Sequence, residues 1–90
     1  MRTDEICKRY ATKKVGLTVR LLEPDEEGER PSMVLIEGQA DALKMLAELL
    51  LAVSEEPENE GFSISPFGAG GGHFSSLAEL GVYIHRIDKT

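Results

Sequence analysis

The hydrophobic pattern of the chain predicts four short strands. Residues 16–22 alternate apolar and polar positions, which is the period-two signature of a half-buried strand. Residues 33–36 are apolar on both sides, as expected for a central strand. Alternation returns in residues 61–66 and again in residues 80–87, so two more strands follow near the C-terminus.

One helix is predicted over residues 40–54, because this segment is rich in the strongest helix formers and Pro57 forbids its continuation. The spacing of apolar positions by three and four residues predicts the face that packs on the sheet: Leu43, Leu46, Ala47, Leu50 and Val53. Three further apolar side chains exceed what one sheet face needs and offer a surface for a homodimer: Met45, Leu49 and Leu51.

These elements predict an α+β fold in the order β-β-α-β-β. The helix returns the chain along the sheet, so antiparallel neighbours throughout require the spatial strand order 1-2-4-3, numbered along the chain. The helix covers one face of this four-stranded sheet and leaves the other at least partly open. Ninety residues without a repeat predict a single domain, 1–90, with its core in residues 15–90. Residues 1–14 form either a short helix or a frayed basic arm.

Charge is unevenly distributed and bears on the choice of partner. The formal net charge is −6, with six basic and two acidic side chains in residues 1–22 and four basic and fourteen acidic in the remainder. An acidic body repels a phosphate backbone, so we do not expect a nucleic acid as the partner. The acidic turn 23–31 and the acidic link 55–61 can form a rim that attracts a basic protein, although ordinary solubility explains the same charge.

The composition also indicates where in the cell the protein is expected to act. A single cysteine, Cys7, excludes an intrachain disulfide and a cysteine-based zinc site. No apolar run approaches the roughly 18 residues that span a bilayer, and residues 1–20 lack the apolar core of a secretory signal. We therefore expect a cytoplasmic protein without a membrane partner.

The glycine-rich segment 67–74 resembles a phosphate-binding loop only superficially, because no Gly-Lys-Ser/Thr ending follows it. A mobile hairpin connection is the simpler interpretation, with His73 and Phe74 at its end available for recognition. The alternative function is a small-molecule- or metal-binding domain that uses this loop together with His85.

Catalysis is not predicted. Nothing in the spacing ties Cys7 or a serine to either histidine as a nucleophile–base pair, and no His-x-x-x-His motif indicates a metal site. We expect no catalytic residue, cofactor or metal.

The open face of the predicted sheet mixes apolar, aromatic and polar side chains, as protein interfaces do. It would carry Thr18, Arg20, Met33, Leu35, Ser63, Ser65, Tyr83 and His85. Either a partner binds there or the N-terminal arm covers it through Ile6 and Tyr10. With the loop tip included, the candidate partner-binding residues are Arg20, Leu35, Ser63, Ser65, His73, Phe74, Tyr83 and His85.

Residues 33–88 also carry a familiar layout, made of three segments: Val34-Leu35-Ile36-Glu37-Gly38, then Asp41-Ala42-Leu43 opening a helix with Leu46-Ala47, and finally Glu79-Leu80 with Val82. This layout resembles the small bacterial immunity proteins of polymorphic-toxin systems, in the group numbered thirty-two. The resemblance implies a bacterial protein that neutralises a toxin by binding it, without catalysis of its own. It assigns no functional residue. An acidic protein-binding module of the immunity or toxin-inhibitor type is therefore the leading hypothesis.

Overall fold

The computed structural model describes residues 2–22 and 33–88, so the acidic turn 23–31 lies outside the described residues. Its elements, in chain order, are α1 (Arg2–Ala11), β1 (Thr18–Leu21), β2 (Val34–Glu37), α2 (Ala40–Glu55), β3 (Gly61–Ile64), a 3₁₀ turn (Gly71–His73) and β4 (Val82–His85). The predicted α+β class and the helix that begins at Ala40 are confirmed.

The four strands form two separate antiparallel pairs, β1–β2 and β3–β4, so the single sheet with order 1-2-4-3 is wrong. The predicted order required β4 to pair with β2. Instead, the connection between β3 and β4 binds the edge of β1 that faces away from β2, and this holds the β3–β4 pair on the side of β1. The Leu17 N–H donates to the His73 carbonyl and the Ser75 N–H donates to the Leu17 carbonyl, both at 2.8 Å. Residues 79 and 80 then both donate to the Val19 carbonyl at 3.0 Å. An irregular segment thus takes the place of a neighbouring strand.

The N-terminal segment is a helix that packs on α2. Its residues Thr3, Ile6 and Tyr10 are buried, and the last two join the core instead of covering an open sheet face. The alternative in which these two side chains cover the sheet is therefore wrong. At one end of α1, the Asn59 amide donates to Thr3 Oγ1 at 3.1 Å, and both residues are buried.

Two carboxylates of α2 hold the charged side of α1. The Arg2 guanidinium donates to Glu55 at 2.8 Å, and Arg9 pairs with Glu48. The Tyr10 hydroxyl also donates to Glu48, at 2.5 Å. This hydrogen bond, with a further contribution from Arg9, lowers the pKa of the Glu48 carboxyl. Part of the basic charge of the N-terminal segment is therefore matched within the chain.

The buried face of α2 differs from the predicted one. Its buried residues are Ala42, Met45, Leu46, Leu49, Ala52 and Val53. The prediction was right for Leu46 and Val53 and wrong for Leu43, Ala47 and Leu50, which are exposed. The cause is the docking of α1 at Glu48 and Glu55. Met45 and Ala52 each precede one of these carboxylates by three residues, so they lie on the same side of the helix and enter the core.

The surface assigned to a homodimer also needs correction. Met45 and Leu49 have no exposed area, so these two side chains belong to the chain's own core. Leu51 remains 52% exposed. Together with Leu17, Met45 and Leu49 are the largest fully buried side chains, and they belong to the same core cluster as Ile6 and Tyr10 of α1.

The β3–β4 pair is fixed to α2 by a residue just after β4. The Arg86 guanidinium donates to the carbonyls of Val53 and Glu56, at 2.5 and 2.6 Å, and its other side pairs with Asp88 at 2.8 Å. The last turn of α2 contains no basic side chain of its own, so Arg86 supplies the positive charge that a helix C-terminus favours. This contact sets the orientation of β4 relative to the core.

A pair of neighbouring leucines tests the face of α2. Leu49→Ala removes a fully buried side chain and should lower the free energy of unfolding by about 2–5 kcal/mol. Leu50→Ala, at a position 48% exposed, should lower it by less than about 1 kcal/mol. Urea titrations at low micromolar protein concentration measure both values. Equal losses, or a larger loss at Leu50, would contradict the assigned face.

Candidate interaction surface

Three of the predicted partner-binding residues lie together on the β3–β4 pair. Ser63 is directly opposite Tyr83, and Gly61 is directly opposite His85. Residues that are opposite each other in an antiparallel pair project to the same face, and so do residues two apart in one strand. Ser63, Tyr83 and His85 therefore share one face, which we call the outer face. The other face, with Phe62, Ile64 and Val82, packs on the core.

The side chains of the outer face are exposed and mutually close. Tyr83 is 73% exposed, and its ring centroid lies 6.3 Å from that of His85 with the planes tilted by 37°. The His85 Nε2 atom is 3.9 Å from the carboxylate of Glu60. An exposed tyrosine beside an imidazole and a carboxylate combines an apolar ring with hydrogen-bonding groups, which is typical of interface centres.

The free edge of β4 borders this face. The Arg86 N–H donates to the Glu60 carbonyl at 2.7 Å, and hydrogen-bonded pairs alternate along an antiparallel ladder. Tyr83 and His85 therefore fall in the non-hydrogen-bonded pairs, and their backbone N–H and C=O groups point away from β3. No residue in the described part of the chain pairs with them. An extended peptide can add to such an edge.

Arg20 and Leu35 lie on the other pair of strands. They are directly opposite each other in β1–β2, and both are half-buried. Because the two pairs of strands do not form one sheet, Arg20 and Leu35 do not share a face with Ser63, Tyr83 and His85. Thr18 is buried, and its hydroxyl lies 2.5 Å from Ser75 Oγ.

The glycine-rich connection is internally hydrogen-bonded. The N–H groups of residues 68, 71, 73 and 74 donate to carbonyls within residues 65–71, and Ser65 Oγ accepts the Phe67 N–H at 3.2 Å. These N–H groups are therefore committed to the loop and do not form an array for a phosphate. The half-buried Ser65 serves this turn and is not part of the outer face.

Two glycines, Gly70 and Gly81, allow this connection to pack closely against Ile64, the last residue of β3. Gly70 has φ +82°, and a Cβ added there would lie 2.4 Å from Cγ2 of Ile64. A Cβ on Gly81 would lie 2.6 Å from the Ile64 carbonyl oxygen. Both positions therefore require glycine, one for its conformation and both for the close approach. Packing on Ile64, rather than ligand binding, accounts for these two glycines.

The end of the connection faces the interior. His73 is buried, and its Nδ1 atom has no hydrogen-bond partner. Burial lowers the pKa of this imidazole below its ordinary value of 6.5. Phe74 is half-buried against the core and forms a parallel bridge with Leu17. The predicted recognition tip is therefore directed into the fold, and His73 does not share an exposed surface with His85.

One residue of the surface was missed by the sequence reasoning. Glu60 precedes β3, and only the register that places it beside Arg86 brings its carboxylate to His85. The acidic link 55–61 was the available signal, but the link alone did not indicate which carboxylate would reach the outer face.

The described residues contain neither a cluster of metal-ligating side chains nor a helix that could span a membrane. Within residues 2–22 and 33–88, no group of three or more His, Cys, Asp or Glu side chains is arranged to hold a metal ion. Neither of the two helices in this part of the chain has the length and apolar content needed to cross a bilayer.

The buried imidazole predicts a pH-dependent stability. Because the pKa of His73 is lower in the folded chain than in the unfolded chain, the unfolded chain binds more protons as the pH falls. The stabilising contribution is complete above about pH 6.5 and decreases as the pH falls towards the folded pKa. We expect His73→Gln to reduce the loss of unfolding free energy between about pH 7 and pH 5.5.

Urea titrations at the two pH values measure this difference. An unchanged dependence on pH in His73→Gln would contradict the assignment.

Comparison with known proteins adds no relative to this picture. No protein-family model matches the chain, and neither the search of curated proteins nor the search of solved structures finds a match.

Proposed function

We propose that the chain is a non-enzymatic protein-binding module of the immunity or toxin-inhibitor type, which binds a basic protein through the outer face. The observation that carries the proposal is the exposed grouping of Ser63, Tyr83 and His85 on a pair of strands fixed to the core. A regular β pair fixes the relative positions of its side chains before a partner arrives. Such preorganisation lowers the entropic cost of binding.

Charge supports a basic partner. The chain carries a formal net charge of −6, and Glu60 lies at the border of the outer face beside His85. Two other acidic residues, Glu58 and Glu79, are exposed in the segments that flank the β3–β4 pair. Long-range attraction of this kind speeds association and favours one orientation of the partner.

The geometry favours a polypeptide over a small ligand. Tyr83 and His85 present both their side chains and their backbone hydrogen-bonding groups to the same region, and a segment of a partner can use both. By contrast, the N–H groups of residues 67, 68, 71, 73 and 74 are used within the loop 67–74, and His73 is buried. The alternative of a small-molecule or metal site built from this loop and both histidines therefore has less support.

The resemblance of residues 33–88 to immunity proteins suggests what kind of protein the partner is. The partner would be a toxin, and inhibition would follow from covering the toxin's surface in the cytoplasm. No step of this proposal requires a catalytic group in the chain.

Site-directed photocrosslinking tests the proposed surface. A photoreactive residue in place of Ser63 should crosslink a basic protein from native lysate, and the yield should fall as the salt concentration rises. Unlabelled wild-type chain should compete for the crosslink, whereas Tyr83→Ala/His85→Ala should compete at least tenfold less well. The matched control is the same photoreactive residue at Leu77, which is 71% exposed but outside the outer face.

Two outcomes would contradict the proposal. One is equal crosslinking from positions 63 and 77, and the other is equal competition by the wild-type and doubly substituted chains. Urea titration of the double variant verifies that it folds. The toxin-inhibitor form is tested by co-expression with the captured protein, where the wild-type chain should restore growth and the double variant should not.

A further inference from the structure

We propose that the partner supplies an extended segment that joins the free edge of β4 as a third strand. This inference rests on the proposed function, because it names the part of the partner that binds and the way in which it binds. The segment hydrogen-bonds to the outward backbone groups of Tyr83 and His85, and its side chains alternate between basic and apolar.

The backbone of β4 presents the hydrogen-bonding groups that such a segment needs. Because hydrogen-bonded pairs alternate along the ladder, Ile84 pairs with β3, whereas Tyr83 and His85 each direct one N–H and one carbonyl away from it. None of the residues that the structure describes pairs with these outward groups. They recur at every second residue, which is the spacing of the N–H and carbonyl groups along one side of another extended backbone.

The sequence of β4 does not protect this edge against pairing. Soluble proteins commonly protect a free edge with lysine, proline or a bulge. The strand reads Val-Tyr-Ile-His, and its register with β3 runs through four residue pairs without a bulge. The strand packs chiefly on β3 and α2, and Arg86 makes its contact with α2 on the side opposite to the outer face. In the described part of the chain, the edge of β4 is therefore open to a partner.

The pleat of β4 decides which surface each side chain of the segment meets. Residues of an added strand that lie level with Tyr83 and His85 project to the outer face. The residue between them projects to the other face, beside Ile84. Ile84 is half-buried, so an apolar side chain at this middle position covers part of its remaining apolar surface.

Basic side chains are favoured at the two outer-face positions. The exposed ring of Tyr83 can hold a cation against its face, because side chains on adjacent strands lie within the distance that this interaction needs. The Glu60 carboxylate, 3.9 Å from His85 Nε2, adds a negative charge at the border of the outer face. The nearest arginine, Arg86, donates to carbonyls of α2 and is directed away from this face. The segment therefore follows a basic–apolar–basic pattern.

The edge of β2 provides an internal comparison. Val34 and Ile36 also direct their backbone groups outward, away from β1. On the β1–β2 pair, however, Arg20 and Glu37 share one face, so their charges balance, and no aromatic ring is present in either strand. A basic segment is therefore expected to prefer the edge of β4.

A synthetic peptide tests this mode of binding on the full chain. The probe is acetyl-Lys-Val-Lys-Val-Lys-amide, and amide NMR of the labelled chain follows its titration at low salt. The N–H resonances of Tyr83 and His85 should shift with a dissociation constant of about 1 mM. Those of Val34 and Ile36 should respond at least tenfold more weakly. No shift at Tyr83 and His85 up to about 5 mM peptide, or an equal response at β2, would overturn the proposal.

Two control peptides separate strand addition from attraction by charge alone. Acetyl-Lys-Pro-Lys-Pro-Lys-amide keeps the charge but cannot add as a strand, because proline lacks an N–H and fixes φ. Acetyl-Glu-Val-Glu-Val-Glu-amide can form a strand but has the opposite charge. Both should bind at least tenfold more weakly than the lysine–valine probe. Equal binding of the proline peptide would reject strand addition, and equal binding of the acidic peptide would reject the basic pattern.

A matched pair of variants tests the backbone of β4 itself. His85→Ala and His85→Pro both remove the imidazole, but only proline also removes the outward N–H, which the ladder with β3 does not use. The lysine–valine probe should bind His85→Pro at least tenfold more weakly than His85→Ala. Equal affinities would contradict strand addition. Urea titration verifies that both variants fold, and the proline peptide tests the same point without changing the chain.

The same two variants distinguish a failure of this inference from a failure of the proposed function. In the competition for the protein that crosslinks at position 63, His85→Pro should compete at least tenfold less well than His85→Ala. Equal competition would reject strand addition and leave the outer face as the binding surface. Absence of a crosslink at position 63 would instead reject the proposed function.

Discussion

The backbone bonds between β1 and the connection that follows β3 organise the molecule. They attach the β3–β4 pair to the rest of the fold through residues 73–80, and they bury His73 and Leu17 in the process. Because this irregular segment holds the β3–β4 pair on the side of β1, β4 does not pair with β2 and the two pairs remain separate. The free edge of β4 and the outer face both result from that arrangement. A site for a partner therefore arises from the way in which two small β pairs are joined.

A second constraint acts through the charges of α2. Its carboxylates Glu48 and Glu55 are directed to α1, where arginines and a tyrosine hydroxyl bind them. This pairing decides which side of an almost wholly apolar helix is buried. It also leaves the opposite side both apolar and nearly free of negative charge. The exposed apolar residues of α2 are Leu43, Ala47, Leu50 and Leu51.

The local pattern of apolar and polar residues predicted where most helices and strands lie. Which faces are buried and how the strands pair depend on packing between distant segments, so the pattern did not predict them. The alternation around β1, β3 and β4 and the composition of α2 located these elements, because each depends on near neighbours in the chain. The face of α2 could not be predicted, since the spacing of its apolar residues fits two faces and only the docking of α1 selects one. The joining of the pairs depends on contacts between Leu17 and residues 73–75, which are far apart in sequence. Ser63, Tyr83 and His85 were grouped correctly because strand register alone places them together, whereas Arg20 and Leu35 required the single sheet.

Amide hydrogen exchange, residue by residue, tests the central claim that the connection occupies the edge of β1 and leaves the edge of β4 free. At low protein concentration the N–H groups of Leu17 and Ser75 should be strongly protected, because each donates to a backbone carbonyl across that edge. The N–H groups of Tyr83 and His85 should exchange at nearly the rate of an unstructured peptide. Rapid exchange at Leu17 and Ser75, or strong protection at Tyr83 and His85, would contradict the account.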